Sequence, residues 1–397
     1  MFDFKASKAC FHLPEGVIYL DGNSLGPPVR ATAERLSAVV KEEWGEQLIR
    51  AWNTAGWMQR PRATGDRIAR LVGAPQGSVV MGDTLSIKVF QALAAGLALN
   101  PGRKIILSDN GNFPSDLYMA EGLVSLKENG FQLKVVDPEQ VEEAIDETIA
   151  VLMLTEVDYR TGRLHDMAKL TAKAHRLGVI TVWDLAHSAG AIPVHLEASG
   201  ADFAVGCTYK YLNGGPGAPA FIYIRPDLAD TAQPALAGWL GHAKPFAFDL
   251  HYRPGTGIER MRVGTPPILG LAALDASLDI WDQVDMGEIR QRSIVLTELF
   301  IRECLTYVPG LELMSPRDPM QRGSQVSLRH PQGYEIMQAL IDNGVIGDFR
   351  APDVLRFGFA PLYLDEDDIR KAVAILRKII SQKIWQDPKY QVRNAVT

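Results

Sequence analysis

The sequence predicts an α/β fold, a mainly parallel sheet covered by helices in a large domain, joined to a smaller α+β domain at the C-terminal end. Three observations predict it. From about residue 79, short β-branched apolar runs alternate with helical patterns. The pattern changes after the punctuation of Pro254, Gly255 and Gly257. The chain has 397 residues, 47% of them apolar, enough for two cores. In chain order, VVMGD (79–83) reads as a strand, SIKVFQALAAGLAL as a helix, KIILSD as a strand, and the segment after Pro114 as a helix. FQLKVVD is a strand, PEQVEEAID a helix, IAVLMLTEV a strand and HDMAKLTAKAHRLG a helix; VITVWDLA, ADFAVGCTYK and APAFIYIRP complete the sheet. A long linker helix is expected from near Pro267 past Ile301. Beyond it SQVSLRH and VLRFGFA read as strands, and YEIMQALIDNG and DEDDIRKAVAILRKIISQK as amphipathic helices. The expected division is 1–20 as an N-terminal segment packing on the small domain, 21–266 as the large ligand-binding domain, and 267–397 as linker helix and small domain.

Composition narrows the partners. A net charge of -6 gives no broad electrostatic reason to bind nucleic acid or an anionic membrane. The three cysteines, Cys10, Cys207 and Cys304, build neither a disulfide framework nor a CxxC metal pair, so no metal is expected and a reducing cytoplasm fits. The first twenty residues lack a basic stretch followed by an apolar run, and no segment has the apolar length of a membrane span.

In sheets of this type ligands sit beyond the carboxyl ends of the strands. Two such ends carry Asp184, in WDLAHSAG, and Tyr209-Lys210, in CTYKYLNGGPG. Pyridoxal phosphate (PLP) needs this pair of functions: a lysine amine to hold the aldehyde as a Schiff base, and a carboxylate to keep the pyridine nitrogen protonated. A capping Asp and a surface Lys would explain either residue alone. Together, after buried apolar strands and before loops of small residues, they point to the cofactor. His187, three residues after Asp184, could stack on or hydrogen-bond to the ring, although a lone strand-end His is more often satisfied locally. Gly214, Gly215 and Gly217 permit a tight turn but give no dinucleotide fingerprint, because no helix follows.

A phosphate is expected at a helix N-terminus. DTLS (83–86) follows a strand, opens a helix and offers the hydroxyls of Thr84 and Ser86, while a plain N-cap explains it as well. In NFPSD, Phe113 could stack on a flat ring or serve as a core aromatic, with Asp116 in the first turn of the next helix. Arg356 lies inside an apolar strand, where a guanidinium is costly unless it meets a carboxylate bidentately; the other reading is a solvent-exposed strand edge.

Taken together, YLDGNSLG (19–26), FPSD (113–116), YRTG (159–162), DLAHSAG (184–190), CTYKYLNGGPG, GWLGH (238–242), GTPPI (264–268) and RFGFAPLY (356–363) resemble the kynureninase family, from about residue 14 to the C-terminus. The resemblance implies the PLP-dependent transferase fold of type I and a cytoplasmic hydrolase of tryptophan catabolism. It would cleave L-kynurenine, or its 3-hydroxylated analogue, to alanine and anthranilate or 3-hydroxyanthranilate. It implies Lys210 as the Schiff-base lysine, Asp184 on the ring nitrogen and Asp116 as a second carboxylate nearby. Phe113 would stack on the ring, Leu85, Ser86 and Tyr209 would contact the phosphate, and Thr155 and His187 would complete the pocket. Tyr209 is a plausible proton donor. Trp239 and Thr265 match positions that reach the phosphate from a neighbouring subunit, implying a homodimer with shared sites, and Arg356 would grip the substrate α-carboxylate. Lys88 and Trp52 depart from the family pattern, where asparagine and, in animal members, histidine stand; Trp52 would shape the substrate's aromatic pocket. The alternatives are a cysteine desulfurase or selenocysteine lyase, the first needing a mobile cysteine, and a non-catalytic PLP-binding protein, which would be expected to have lost Lys210, Asp184 or Arg356.

Overall fold

A computed structural model describes residues 2–127 and 130–393. The β-branched runs become strands because they are apolar on both faces and can be covered on both. The strands are β1 (Ile18–Tyr19), β2 (Val79–Met81), β3 (Ile105–Asp109), β4 (Gln132–Val136), β5 (Ile149–Thr155), β6 (Ile180–Asp184), β7 (Phe203–Gly206) and β8 (Phe221–Ile224). They continue as β9 (Glu312–Leu313), β10 (Gln325–Arg329), β11 (Val345–Ile346), β12 (Asp348–Arg350) and β13 (Val354–Gly358). The large sheet has the order β2-β8-β7-β6-β5-β3-β4. It is parallel except that β8 runs antiparallel to both β2 and β7. Thr155 lies opposite Asp184, and Asp184 opposite Val205, so the last residues of β5 and β6 share one level. The turn bearing Lys210 follows β7.

Helix Leu85–Leu99 is buried along most of its length and packs on β5, β6, β7 and β8. Its Lys88, one of the two departures from the family pattern, is fully buried. The Nζ donates to Asp83 Oδ2 at 3.0 Å, Gln91 Oε1 at 2.9 Å and the Met261 carbonyl at 3.1 Å. All three ammonium donors are satisfied, so Lys88 holds the start of this helix to the segment before residue 262.

Two expectations change. PEQVEEAID forms only a tight turn, Pro138–Gln140, whose start is closed by a capping box of Asp137 and Gln140, and one helical turn, Val141–Ala144, which ends where Ile145 turns extended. The long linker helix is two helices, Ile268–Trp281 and Met286–Tyr307. Asp285 caps the second through the Glu288 N–H at 2.9 Å. Arg67 and Arg70, from helix Arg60–Leu71, hold the intervening turn through the Asp282 carboxylate and the Val284 carbonyl. The first helix packs on Arg60–Leu71 and on Ala31–Ala38, the second on the C-terminal helix Glu366–Ser381.

The C-terminal sheet has the order β12-β13-β10-β9 and is antiparallel. The N-terminal segment joins the C-terminal part of the chain beside this sheet: β1 pairs with β11 in a separate two-stranded sheet, and Lys8 meets Asp365 and Asp368 at the start of helix Glu366–Ser381 at 2.7 and 2.6 Å.

Candidate active site

A cavity of about 200 Å³ opens at the carboxyl ends of the parallel strands, lined by Asn23, Ser24, Leu85, Ser86, Phe113, Ser115, Asp116, Thr155, Tyr159, Asp184, Ala186, His187, Tyr209, Lys210, Arg350 and Arg356. Ten of the expected residues thus meet in one place although more than 270 positions of chain separate Leu85 from Arg356. Trp52, Trp239 and Thr265 do not line it. Trp52 packs edge-to-face on Trp57 with ring centroids 5.6 Å apart, Trp239 is 43% exposed, and Thr265 is exposed.

Lys210 Nζ lies 2.9 Å from His187 Nε2 and 6.0 Å from the Phe113 ring centroid. Burial and the Lys210 charge hold the His187 imidazole well below its ordinary value, so it is neutral and accepts from the ammonium. The turn is held from outside by the loop after β1. Gly26 N–H donates to the Tyr209 carbonyl at 2.7 Å, and a Cβ at Gly26 would stand 2.2 Å from the Lys210 carbonyl oxygen. Only glycine lets that loop come so close.

Asp184 Oδ1 accepts from the Ala186 N–H at 2.9 Å. Burial raises its carboxyl to about 6, opposed by the Lys210 charge. Asp116 is pushed well above the carboxylate range by burial and by the Asp184 charge. The two behave as a coupled pair that prefers a single negative charge, as expected for carboxyls in one dry site. Among the described residues, Asp116 Oδ2 and His187 Nδ1 are buried with no hydrogen-bond partner. Such orphaned atoms are costly unless a ligand meets them.

Two helix N-termini converge on the cavity, Leu85–Leu99 and Pro114–Leu126, with Ser86 Oγ and Ser115 Oγ 3.0 Å apart. Thr84 occupies the N-cap position but its side chain caps nothing, so the plain-cap reading of DTLS fails and the first-turn N–H groups remain available to an anion. Phe113 is 42% exposed, which excludes a core role, and it meets the Tyr159 ring edge-on at 5.1 Å. The amine, the paired carboxyls, the exposed aromatic face and the doubled helix terminus fit PLP: an aldehyde, a pyridinium nitrogen, a flat ring and a phosphate respectively.

Arg356 is 2% exposed, so the strand-edge reading fails too. Its bidentate partner, however, is within the chain. Nε donates to Asp348 Oδ1 at 2.7 Å and Nη2 to Asp348 Oδ2, while Nη2 also reaches Ser24 Oγ at 2.8 Å and Nη1 the Tyr159 carbonyl at 2.7 Å. Asn23, Ser24, Ser115, Tyr159 and Arg350 line the cavity without having been singled out from sequence. Ser115 had a readable signal, as the second residue of a Pro-started helix beside Asp116; the others arrive through tertiary contacts alone.

Glu156, the residue after β5, is buried, and burial raises its carboxyl to about 7. Its folded value exceeds the ordinary 4.5, so ionising it inside the fold costs nothing at low pH and the full amount above about pH 7. Glu156→Gln is therefore expected to gain on the wild type as pH rises from 5 to 8, by on the order of 3 kcal/mol. Urea melts at the two pH values check this; an equal difference at both would contradict it.

Comparison with known proteins agrees with the geometry. Residues 289–376 match the model of the kynureninase C-terminal domain. The chain is 49% identical over 396 residues to a kynureninase of Pseudomonas fluorescens, covering 98% of this chain and 95% of that one. It is 48% identical over 394 residues to a kynureninase of Burkholderia pseudomallei, with the same coverage. Among solved structures, a cysteine desulfurase of Thermococcus onnurineus NA1 superposes with a TM-score of 0.81 at 19% identity, covering 96% of this chain and 99% of that one. A cysteine desulfurase of Escherichia coli gives 0.80 at 18%, over the same shares. At that identity the likeness speaks for the fold, which is the one expected. With near-complete coverage at 49% identity, the chain belongs to the kynureninase family.

Proposed function

We propose that this chain hydrolyses L-kynurenine to anthranilate and L-alanine with PLP as cofactor. The observation that carries it is the content of one cavity: a lysine amine, a buried carboxyl pair and two arginines. When bound, PLP supplies an aldehyde for the substrate amine and a ring that accepts the electron pair left at Cα when its proton departs. Lys210 would hold that aldehyde, and its Nζ, once free, would serve as base at Cα, positioned 2.9 Å from His187 Nε2. Asp184 keeps the ring nitrogen protonated, and Asp116, the more reluctant acid of the pair, stays neutral beside it. Phe113 would cover the ring face, Thr155 and His187 would close the pocket, and Leu85, Ser86 and Tyr209 would hold the phosphate. Water adds to the γ-carbonyl of the substrate, the Cβ–Cγ bond breaks, and Tyr209 returns a proton to Cβ. Cys207 and burial hold the Tyr209 phenol above its ordinary value, which keeps it a proton donor.

The same reading makes the protein a cytoplasmic homodimer. Trp239 and Thr265 complete the partner's phosphate site, and Trp52 shapes the substrate's aromatic pocket. Exposed Phe246, Phe248 and Leu250, at 64, 77 and 96%, flank Trp239 and suit an interface. Among the described residues no helix is long and apolar enough to cross a membrane. Lys210→Ala and Trp239→Ala proteins, inactive or weak alone, should regain up to about a quarter of wild-type activity when mixed and re-equilibrated, since one mixed site in two is intact. A mixture no more active than its components contradicts sharing.

Desulfurase chemistry finds no cysteine in the lining of the cavity. Cys304 in helix Met286–Tyr307 and Cys207 after β7 are buried, and burial raises both thiols, while Cys10 is exposed after the helix Phe4–Ala9 and does not line the cavity. The test is substrate choice: PLP-loaded protein should form anthranilate fluorescence from L-kynurenine and release no sulfide from L-cysteine. The reverse pattern overturns the assignment.

A further inference from the structure

We infer that the substrate α-carboxylate is held by two arginines, Arg350 and Arg356, both anchored on Asp348, which acts as their positioning residue. The inference rests on the proposed amino-acid substrate and extends it. A guanidinium has five N–H groups. On Arg356 four are engaged by Asp348, Ser24 and the Tyr159 carbonyl, leaving one on Nη1. One donor cannot clasp a carboxylate through both oxygens, so the second must come from elsewhere in the cavity.

Arg350 supplies it. Asp348 and Arg350 are two residues apart on β12 and project from one face, and Asp348 lies directly opposite Arg356 on β13. Arg350 Nη2 reaches Asp348 Oδ2 at 2.8 Å, the oxygen that also receives Arg356 Nη2 and, at 2.9 Å, the Ser24 hydroxyl. Arg350 Nε is buried without a partner among the described residues, although the side chain lines the cavity. Burial and the Arg356 charge together pull the Arg350 guanidinium below its ordinary value, the mark of a cation short of counter-charge.

Charge balance points the same way. Two guanidinium groups share Asp348, which leaves one positive charge to be met. Asp21, at the start of the loop after β1, is the other acid here; burial and the Asp348 charge raise its carboxyl to about 7, and its Oδ1 is buried and unpaired. Below neutrality Asp21 is protonated and the site attracts an anion. Above it, Asp21 ionises and competes with the substrate carboxylate. The remaining groups facing Asp21 and the arginines do not titrate there. Tyr19, Tyr211 and Tyr363 are raised by burial, Ser24 carries no charge, and His187 is held uncharged.

The experiment compares PLP-loaded wild type with Arg350→Gln, Arg350→Lys and Asp21→Asn, using L-alanine and L-alaninamide as spectroscopic binding probes and L-kynurenine for turnover. Arg350→Gln should weaken L-alanine binding and raise KM by about 10- to 100-fold, the loss expected for a charge-assisted pair, with kcat nearly unchanged. L-alaninamide, which has no carboxylate, should bind it as it binds wild type, and Arg350→Lys should recover part of the loss. KM of the wild type should rise above about pH 7, and Asp21→Asn should flatten that rise. Equal losses for both probes would make Arg350 structural, and unchanged L-alanine affinity would leave Arg356 as sole ligand; either overturns the inference. Wild-type protein that discriminates the two probes through Arg350 yet leaves L-kynurenine intact would sink the proposed reaction and keep the arginine pair.

Discussion

Lys210→Ala is expected to lower kcat for anthranilate formation by about 10⁴-fold or more, the upper range for losing a positioned acid-base group together with a covalent anchor. The size follows from what surrounds the amine. Lys210 lowers the Asp184 carboxyl and lies against neutral His187 at 2.9 Å. Removing it lets Asp184 move further above 6, so the carboxylate that must stay charged is charged less of the time, while His187 protonates more readily. The defect therefore exceeds the loss of one base. Single-turnover fluorescence measures it, with a thermal melt to show that the fold persists. A fall of less than about 100-fold would mean another group serves as base at Cα.

Asp184→Asn should reduce kcat by about 10³-fold, because an amide cannot keep a pyridine nitrogen protonated. Asp116 does not replace it at neutral pH. Its carboxyl is held well above the ordinary range by burial first and by the Asp184 charge second. The substitution removes the second cause and keeps the first. Asp116 should then ionise at lower pH than before, so residual activity of Asp184→Asn should climb with pH more steeply than that of the wild type. The Asp116→Asn/Asp184→Asn double variant should lose the climb. A flat residual profile in the single variant would show that Asp116 does not reach the cofactor.

Much of this was legible in the sequence, for a physical reason. A parallel strand covered on both faces must be a short continuous apolar run, and IAVLMLT, ITVWD and FAVG are such runs. Asp184 and Lys210 stand at or just beyond the carboxyl ends of two of them, so these two could be placed together from chain order alone, whereas Thr155 at the end of IAVLMLT was located by the family resemblance. What escaped depends on contacts distant in sequence. β1 has two residues and exists because Ile18 and Tyr19 pair with Val345 and Ile346. The loop after it reaches the cavity through Asn23 and Ser24, which no periodicity marks. The turn between Trp281 and Asp285 is fixed by Arg67 and Arg70 from another helix. Arg356 shows the limit most clearly: its burial and its need for a carboxylate were readable, but that Asp348 already fills the bidentate position depends on the register of β12 against β13. Family resemblance located Trp239 and Thr265, and one chain alone leaves both outside its own cavity.

The account stands on Lys210 as the cofactor's lysine. Borohydride reduction of the PLP-loaded protein, followed by proteolysis and mass spectrometry, should place the reduced phosphopyridoxyl group on Lys210 in the peptide containing CTYKYLNGG. Modification of Lys88 instead, or of no single lysine, would contradict it.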